Sequence, residues 1–567
     1  MKRMFGLLLV LLIVTPAFGT TTFASNTVKA TVTGSSTYFD GEEKSSHGFN
    51  IAGSNYFNLR DLARNFSGTP SQFDITWNQK NKAIEIVTGK AYTAQGTEDS
   101  LYFSPGRTYA AALSTSKVMV DGVLQSIKAY TIEGNNYFQL RDLAGKIPFE
   151  LSYNSQQNQL VMSSRTPDNA YRVAVSSETK GNAESSYFPR WKSTVSSYLV
   201  NNSDGTVSVV EAGSNITIDT YNTRNELTAT QKIAYELPLF GGFYSGKQYN
   251  YIAFGQENRE ENDSKEVIRI VRYDKSFKRI DSVSITGGQS YTVVPFDAGS
   301  GRMAESGNTL VFHTSRTRYT TEDKLNHQSQ LTIIVNTSNM TVTNDLGRFQ
   351  ENHVSHSFDQ YVLFDGSSQV LVDHGDAYPR SVVLHKGDGT SYNEVDLFKI
   401  PGETGANATG VSIGGVEMSS SSYIVAMNSV DHSLVKDYTS YEMVGLKSDQ
   451  RDIILNVLPR TSMDSTSVHT ITLAKYVGTD RIASIPKLVR ISDEQMMVLW
   501  QEFDKENHPG DVKYVLIDGK GKAVGNIQSI KYFMLSECNP VVSGGKVVWY
   551  TNSHGSQMFY TIPMKGV

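Results

Sequence analysis

Residues 487–523 read KLVRISDEQMMVLWQEFDKENHPGDVKYVLIDGKGKA, and the fold of most of the chain follows from them. Lys487 to Ile491 and Gln495 to Trp500 are short apolar-rich runs separated by the polar turn Ser492-Asp493-Glu494. A charged loop follows, then Val512 to Asp518, and the Gly519-Lys520-Gly521 turn leads into a fourth run. Such runs, bounded by Gly, Asn, Asp and Ser, are strands of an antiparallel meander. The pattern recurs after residue 196, with first turns near Ser203, Ser245, Ser306, Gly366, Ser420, Ser492 and Ser543. Four strands in each repeat of about 40 to 70 residues predict a seven-bladed β-propeller over 197–567, with a pair of two-sheet sandwiches as the alternative. The last repeat ends at Pro563 with three strands, so Ala170 to Val175 is expected to add the fourth.

Composition agrees. The 567 residues include 45 Gly, 30 Tyr and 25 Phe, as a mainly β chain requires. The formal charge is −5 with no long basic run, which argues against nucleic acid or anionic membrane surfaces as partners. Lys2 and Arg3 precede the apolar stretch Phe5 to Val14, and Pro16, Ala17, Gly19 and Ala24 follow. Residues 1–24 therefore read as a secretory signal peptide, and the protein as secreted or held at the cell surface. No later stretch of about 18 apolar residues exists, so no membrane span is expected after signal removal. Cys538 is the only cysteine, which excludes an intrachain disulfide.

Between signal and propeller lies a duplication. Phe49-Asn50-Ile51-Ala52-Gly53-Ser54-Asn55-Tyr56-Phe57-Asn58-Leu59-Arg60-Asp61-Leu62-Ala63 returns as Tyr130-Thr131-Ile132-Glu133-Gly134-Asn135-Asn136-Tyr137-Phe138-Gln139-Leu140-Arg141-Asp142-Leu143-Ala144. Phe73-Asp74-Ile75-Thr76-Trp77-Asn78 likewise returns as Phe149-Glu150-Leu151-Ser152-Tyr153-Asn154. Leucines at helical spacing predict one short helix per copy, packed on a small antiparallel sheet. The Arg-Asp pairs fall on its solvated side. These α+β copies span 28–90 and 91–164, and 165–196 reads as a polar linker.

At these motifs the chain resembles the copper amine oxidase N-terminal-like stalk domain found in secreted proteins of Gram-positive bacteria. The resemblance implies a display role. It does not imply copper chemistry: the oxidase site needs Asn-Tyr followed by an acid, whereas Asn55-Tyr56, Asn136-Tyr137 and Asn250-Tyr251 continue with Phe57, Phe138 and Ile252. No His-x-His pair is present. Neither copper nor topaquinone is therefore expected.

Histidines supply the candidate site. His313, His327, His374, His432, His508 and His554 read as loop residues between second and third strands, and His353 and His356 as lying where the fourth repeat begins. The densest cluster is Asp373-His374-Gly375-Asp376-Ala377-Tyr378-Pro379-Arg380, read as a loop, with His353 and His356 before it. Such a set can bind a divalent cation, hold a sugar or transfer protons, and a tight turn capping the sheet is the bland alternative. Asp504 and Glu506 offer oxygen ligands but lack the calcium-loop pattern. The region also resembles an uncharacterised secreted propeller family of Gram-positive bacteria, through Phe240 to Gly246, Pro295 to Ser300, Leu325 to Gln328, Val354 to Phe358 and Asp373 to Arg380. That resemblance brings no activity with it.

Two functions follow as expectations. One is a binding or display protein that captures a cell-wall or extracellular glycan or a peptide. The other is a polysaccharide lyase or hydrolase with His374 or His356 as base, Asp376 as partner and Arg380 holding a substrate carboxylate. His313, His327, His353, Asp373 and Tyr378 complete the ligand-contacting candidates.

Overall fold

The computed structural model describes residues 27–564 except 41, 95–102, 104–106, 155–157, 166–169, 177–181, 224–225, 532 and 554–555. Residues 1–24, expected to be a signal peptide, and His554 lie outside the described residues. The described chain is mainly β and divides into two compact units.

The first unit takes residues up to 34, 46–64 and 73–146. Its centre is a closed six-stranded barrel of Thr27–Val32, Gly48–Ile51, Ser54–Asn58, Asn135–Gln139, Ala129–Ile132 and Thr108–Leu113. Each copy contributes half of it. Phe57 pairs with Phe138 and Lys29 with Ala110, positions that are equivalent in the repeat, so an approximate two-fold axis relates the copies. Phe49 fills the interior edge-on to Tyr137 at 4.8 Å and to Tyr109 at 5.5 Å.

The copies do not each build a sheet of their own. Ala83–Thr88 of the first runs parallel to Lys117–Val120 of the second. Helices form over Leu59–Phe66 and Leu140–Ala144, as the leucine spacing predicts. Their acidic residues are not on a solvated face, however. Asp61 accepts the backbone N–H of His47 at 2.9 Å and Asp142 that of Lys128 at 3.0 Å, tying each helix to the start of a strand. Arg60 and Arg141 alone remain exposed.

The second unit takes residues 35–45, 65–72 and 147–567. A small sheet repeats the exchange, with Gln159–Ser164 parallel to Ser36–Phe39. Among the described residues seven four-stranded meanders follow, with Thr292–Pro295 added to the third and Ile482–Ala483 to the sixth, and their first turns fall where the sequence places them. Sheet one begins at Ser197–Asn201, two at Leu239–Ser245, three at Arg302–Ser306 and four at Ser355–Asp365. Sheet five begins at Val411–Met418, six at Lys487–Ser492 and seven at Val541–Ser543. Sheets three and four are hydrogen-bonded together where Ser329 pairs with Ser355. Tyr171–Ser176 lies antiparallel to Ser556–Pro563 and is the fourth strand of sheet seven, one residue beyond the expected segment.

The inner strands are apolar on both faces and each of these faces is buried against a neighbour, whereas outer strands such as Leu227–Ile233 and Ala523–Ile530 are largely exposed. Phe254 and Val271 of sheet two pack with Val210 and Ile218 of sheet one, and Val498 and Trp500 of sheet six with Ile424 and Leu455 of sheet five. Tyr550 and Phe559 of sheet seven pack with Val209 and Tyr221 of sheet one.

Two features bring the first strands together. Gly301 has φ +67°, and a Cβ there would overlap the Gly241 carbonyl oxygen of sheet two. Gly301→Ala is expected to cost about 2 kcal/mol or more, read from the urea midpoint, because strain and backbone overlap add. The other feature is the second half of the segment expected to be a linker. Glu184 N–H donates to Leu535 O at 2.8 Å, Lys192 N–H to Phe358 O at 3.2 Å and Val195 N–H to Ser300 O at 3.3 Å. Phe188 is buried beneath the Arg451 guanidinium, 4.1 Å from its ring centre. Residues 182–196 are thus a strap across the incoming ends of several sheets.

Candidate functional site

Sheet four carries the histidine cluster, but as strand rather than loop. Ser368–Tyr378 and Arg380–Gly387 form a hairpin that reverses at the cis peptide Tyr378-Pro379. Side chains of a strand alternate between its two faces, so the cluster splits.

On one face Asp373, fully buried, accepts from Ser357 Oγ at 2.6 Å and lies 2.9 Å from His313 Nε2. The other His313 nitrogen meets Thr332 Oγ1 at 3.0 Å. His313 lies inside Thr309–Arg318 and is itself fully buried, so it is a bolt between sheets three and four and not a loop ligand. His353 stands edge-on to Phe349 at 5.0 Å. Burial, with Arg318 and Arg316 adding to it, pulls its pKa down to about 4.

On the other face His356 Nδ1 lies 3.1 Å from Asp376 Oδ1. Asp376 is fully buried, and Asn407 of the loop before sheet five donates to its second oxygen. The His356 side chain keeps 30% exposure. This pairing needs the bend at His356, whose φ is +53°, and the register shift between Ser355 and Ser357. Exposed Tyr378 stands opposite Ser355 on the neighbouring strand.

His374 does not join that pair as a ligand. It is buried, edge-on to Phe358 at 5.6 Å, and its Nε2 has no hydrogen-bond partner. Burial lowers its pKa to about 4, against the pull of Asp359 and Asp376 and with the push of Arg451 and Arg380. Arg380 is committed too. Its guanidinium donates to the carbonyls of Pro401 (2.9 Å), Asp376 (3.0 Å), Ala406 and Ala408. It has no fork left for a substrate carboxylate, contrary to the role expected of it.

His327 is separate, 2.7 Å from Asp323 in its own loop. Among the described residues, Asp504, Glu506 and His508 form the group whose ligand atoms lie within 4.8 Å of one another, exposed and away from sheet four. Asn407, Ser357 and Thr332 are the partners that sequence reasoning missed. Asn407 and Thr332 are ordinary polar residues 31 and 19 positions from the side chains they meet, and Ser357, though next to His356, carries no sign of its role.

No family model matches the chain, and no curated protein matches it. The stalk-domain resemblance therefore rests on the duplicated motif alone. Among solved structures, a protein of unknown function from Dyadobacter fermentans is 11% identical, over 61% of this chain and 99% of that one, with a TM-score of 0.35. The α-L-arabinanase of Penicillium chrysogenum complexed with arabinobiose is 10% identical over 70% and 99%, with a TM-score of 0.31. An endo-arabinase from Bacteroides thetaiotaomicron is 10% identical over 58% and 95%, with a TM-score of 0.28. TM-scores this low carry no argument about fold or activity. Among the described residues no helix is long and apolar enough to cross a membrane.

Proposed function

We propose that this is an exported surface protein whose seven sheets are the blades of a β-propeller, and that it acts on a polysaccharide through His356 with Asp376 as orienting partner. One observation carries the site: a partly exposed imidazole has one nitrogen committed to a fully buried carboxylate. A buried carboxylate fixes the tautomer and orientation of such a ring, as a general base requires. The shared cluster of sheets seven and one supports the propeller reading, and the apolar leader Phe5 to Val14 supports export.

A hydrolase of the two-carboxylate kind fits less well than a lyase. Asp373 and Asp376 are both fully buried and hydrogen-bonded, so neither serves as nucleophile or acid. The second reading is glycan binding and display without turnover, favoured by the commitment of Arg380 to backbone carbonyls.

Incubation with a polysaccharide panel, read by reducing ends and by absorbance of unsaturated sugars, tests the proposal. Turnover is expected to fall about 100-fold or more in His356→Ala. Asp376→Asn should lose nearly as much, with its thermal unfolding little changed. Binding without turnover of any polymer would favour display, and unchanged turnover in His356→Ala would remove the site.

A further inference from the structure

A second open space in the domain is lined by neither His356 nor Asp376. Between sheets one and two is a cleft of about 840 Å³, reached past the first turn of each sheet and the Lys275 to Phe277 turn. His356, by contrast, sits at the incoming end of its own sheet.

The cleft has a local cause. Packed sheets normally stand about 10 Å apart, with large side chains filling the gap. In sheet one the row that crosses the cleft is Ser208, Thr220 and Ala229, held in direct cross-strand register. Small residues in this row leave the space unfilled. Asn202 Nδ2 donates to Ser208 Oγ at 2.8 Å, and Ser208 meets Thr220 Oγ1 at 3.0 Å. That wall is a line of hydroxyls, each with further hydrogen-bonding capacity. The wall from sheet two is aromatic: Phe243 and Phe277 stack at 6.0 Å and 24°.

Charge at the cleft is mixed and largely spent. Lys275 Nζ donates to Ser245 Oγ at 2.6 Å, Gly246 O at 2.8 Å and Asn250 Oδ1 at 3.1 Å. Asp204 accepts from Thr206 Oγ1 at 2.6 Å and from its N–H at 3.0 Å. The lining holds Lys247, Lys275 and Asp204 and no arginine, so it offers no cluster of like charges to a phosphate or a strongly charged peptide. A neutral molecule with hydroxyl edges and apolar faces matches both walls, and the volume falls within the range of ligand pockets.

We propose that this cleft binds a neutral oligosaccharide, as a second site independent of the His356 pair. The full chain is titrated calorimetrically with cellohexaose, xylohexaose, arabinohexaose and chitohexaose in turn. At least one is expected to bind. Thr220→Trp, which fills the cleft from the hydroxyl wall, and Gln231→Trp, which covers its mouth from an exposed position, should each weaken that binding tenfold or more. Should Thr220→Trp fail to fold, Gln231→Trp decides the matter. The proposal is overturned if none of the four sugars binds, or if affinity stays within threefold in the folded tryptophan variants. The second result would place the sugar elsewhere, at the His356 site included.

Discussion

Asp373→Ala should destabilise the second unit by about 3–5 kcal/mol, the range for breaking a buried polar pair by removing one partner. The carboxylate has two partners to lose. His313 is fully buried between sheets three and four and would retain only the Thr332 hydroxyl. Ser357 Oγ, also fully buried, would lose its acceptor at 2.6 Å. Water does not reach either group freely, so the desolvation cost stays unmet. Chemical denaturation of the purified protein reads the loss as a lower urea midpoint. Asp376→Asn, which keeps a hydrogen-bonding group beside His356 and Asn407, should shift that midpoint far less. If the two substitutions cost the same, the division into a structural and a functional face is wrong.

Stability should also fall as pH drops from about 6.5 towards 4, and His374 is one cause, alongside His353 and His432, which burial lowers to about 4 as well. Its ring stays neutral in the folded protein down to about 4 because burial opposes the charge, with Arg451 and Arg380 adding to that opposition. In the unfolded chain the same ring takes its proton near 6.5. Within this window the unfolded state binds more protons than the folded one, so lowering the pH favours unfolding. The stability is fully present above about pH 6.5, and the loss is complete below about 4, amounting to about 3 kcal/mol for this one group. Denaturation at pH 7 and pH 4.5 in the natural protein and in His374→Phe isolates the contribution. The variant should show the shallower dependence. An equal slope in both would mean that His374 protonates in place.

The repeat of strand, turn and strand was legible because the inner strands must be apolar on both faces, and turn residues punctuate that pattern. Even the missing strand of sheet seven was legible, since three strands with a buried edge call for a fourth. The site was legible only in part. Read as a loop, Asp373 to Arg380 brings two acids, a histidine and an arginine together. Read as a strand, period-two alternation sends Asp373 and His374 to opposite faces, and only the second reading fits the hydrogen-bond register with Arg380–Gly387. The His356–Asp376 pair depends on a left-handed residue and a register shift, neither of which leaves a mark in residue types. The barrel was missed for another reason. Two similar sequences show that a module is repeated, and nothing in either copy says whether its strands pair within the copy or across to the other.

Tyr171 pairs with Thr561 across nearly the whole length of the domain's chain. Closing a loop of that size costs about 5 kcal/mol in chain entropy, on top of the constant for any closure, before any contact rewards it. Sheet seven is therefore a clasp that fastens last. Until residues 541–563 have arrived, Tyr171–Ser176 has no hydrogen-bonding partner, and the apolar flanks of sheets six and one have nothing between them. Pairing of Tyr171–Ser176 with Ser556–Pro563 is therefore expected to form late and slowly, as long-range β pairing does.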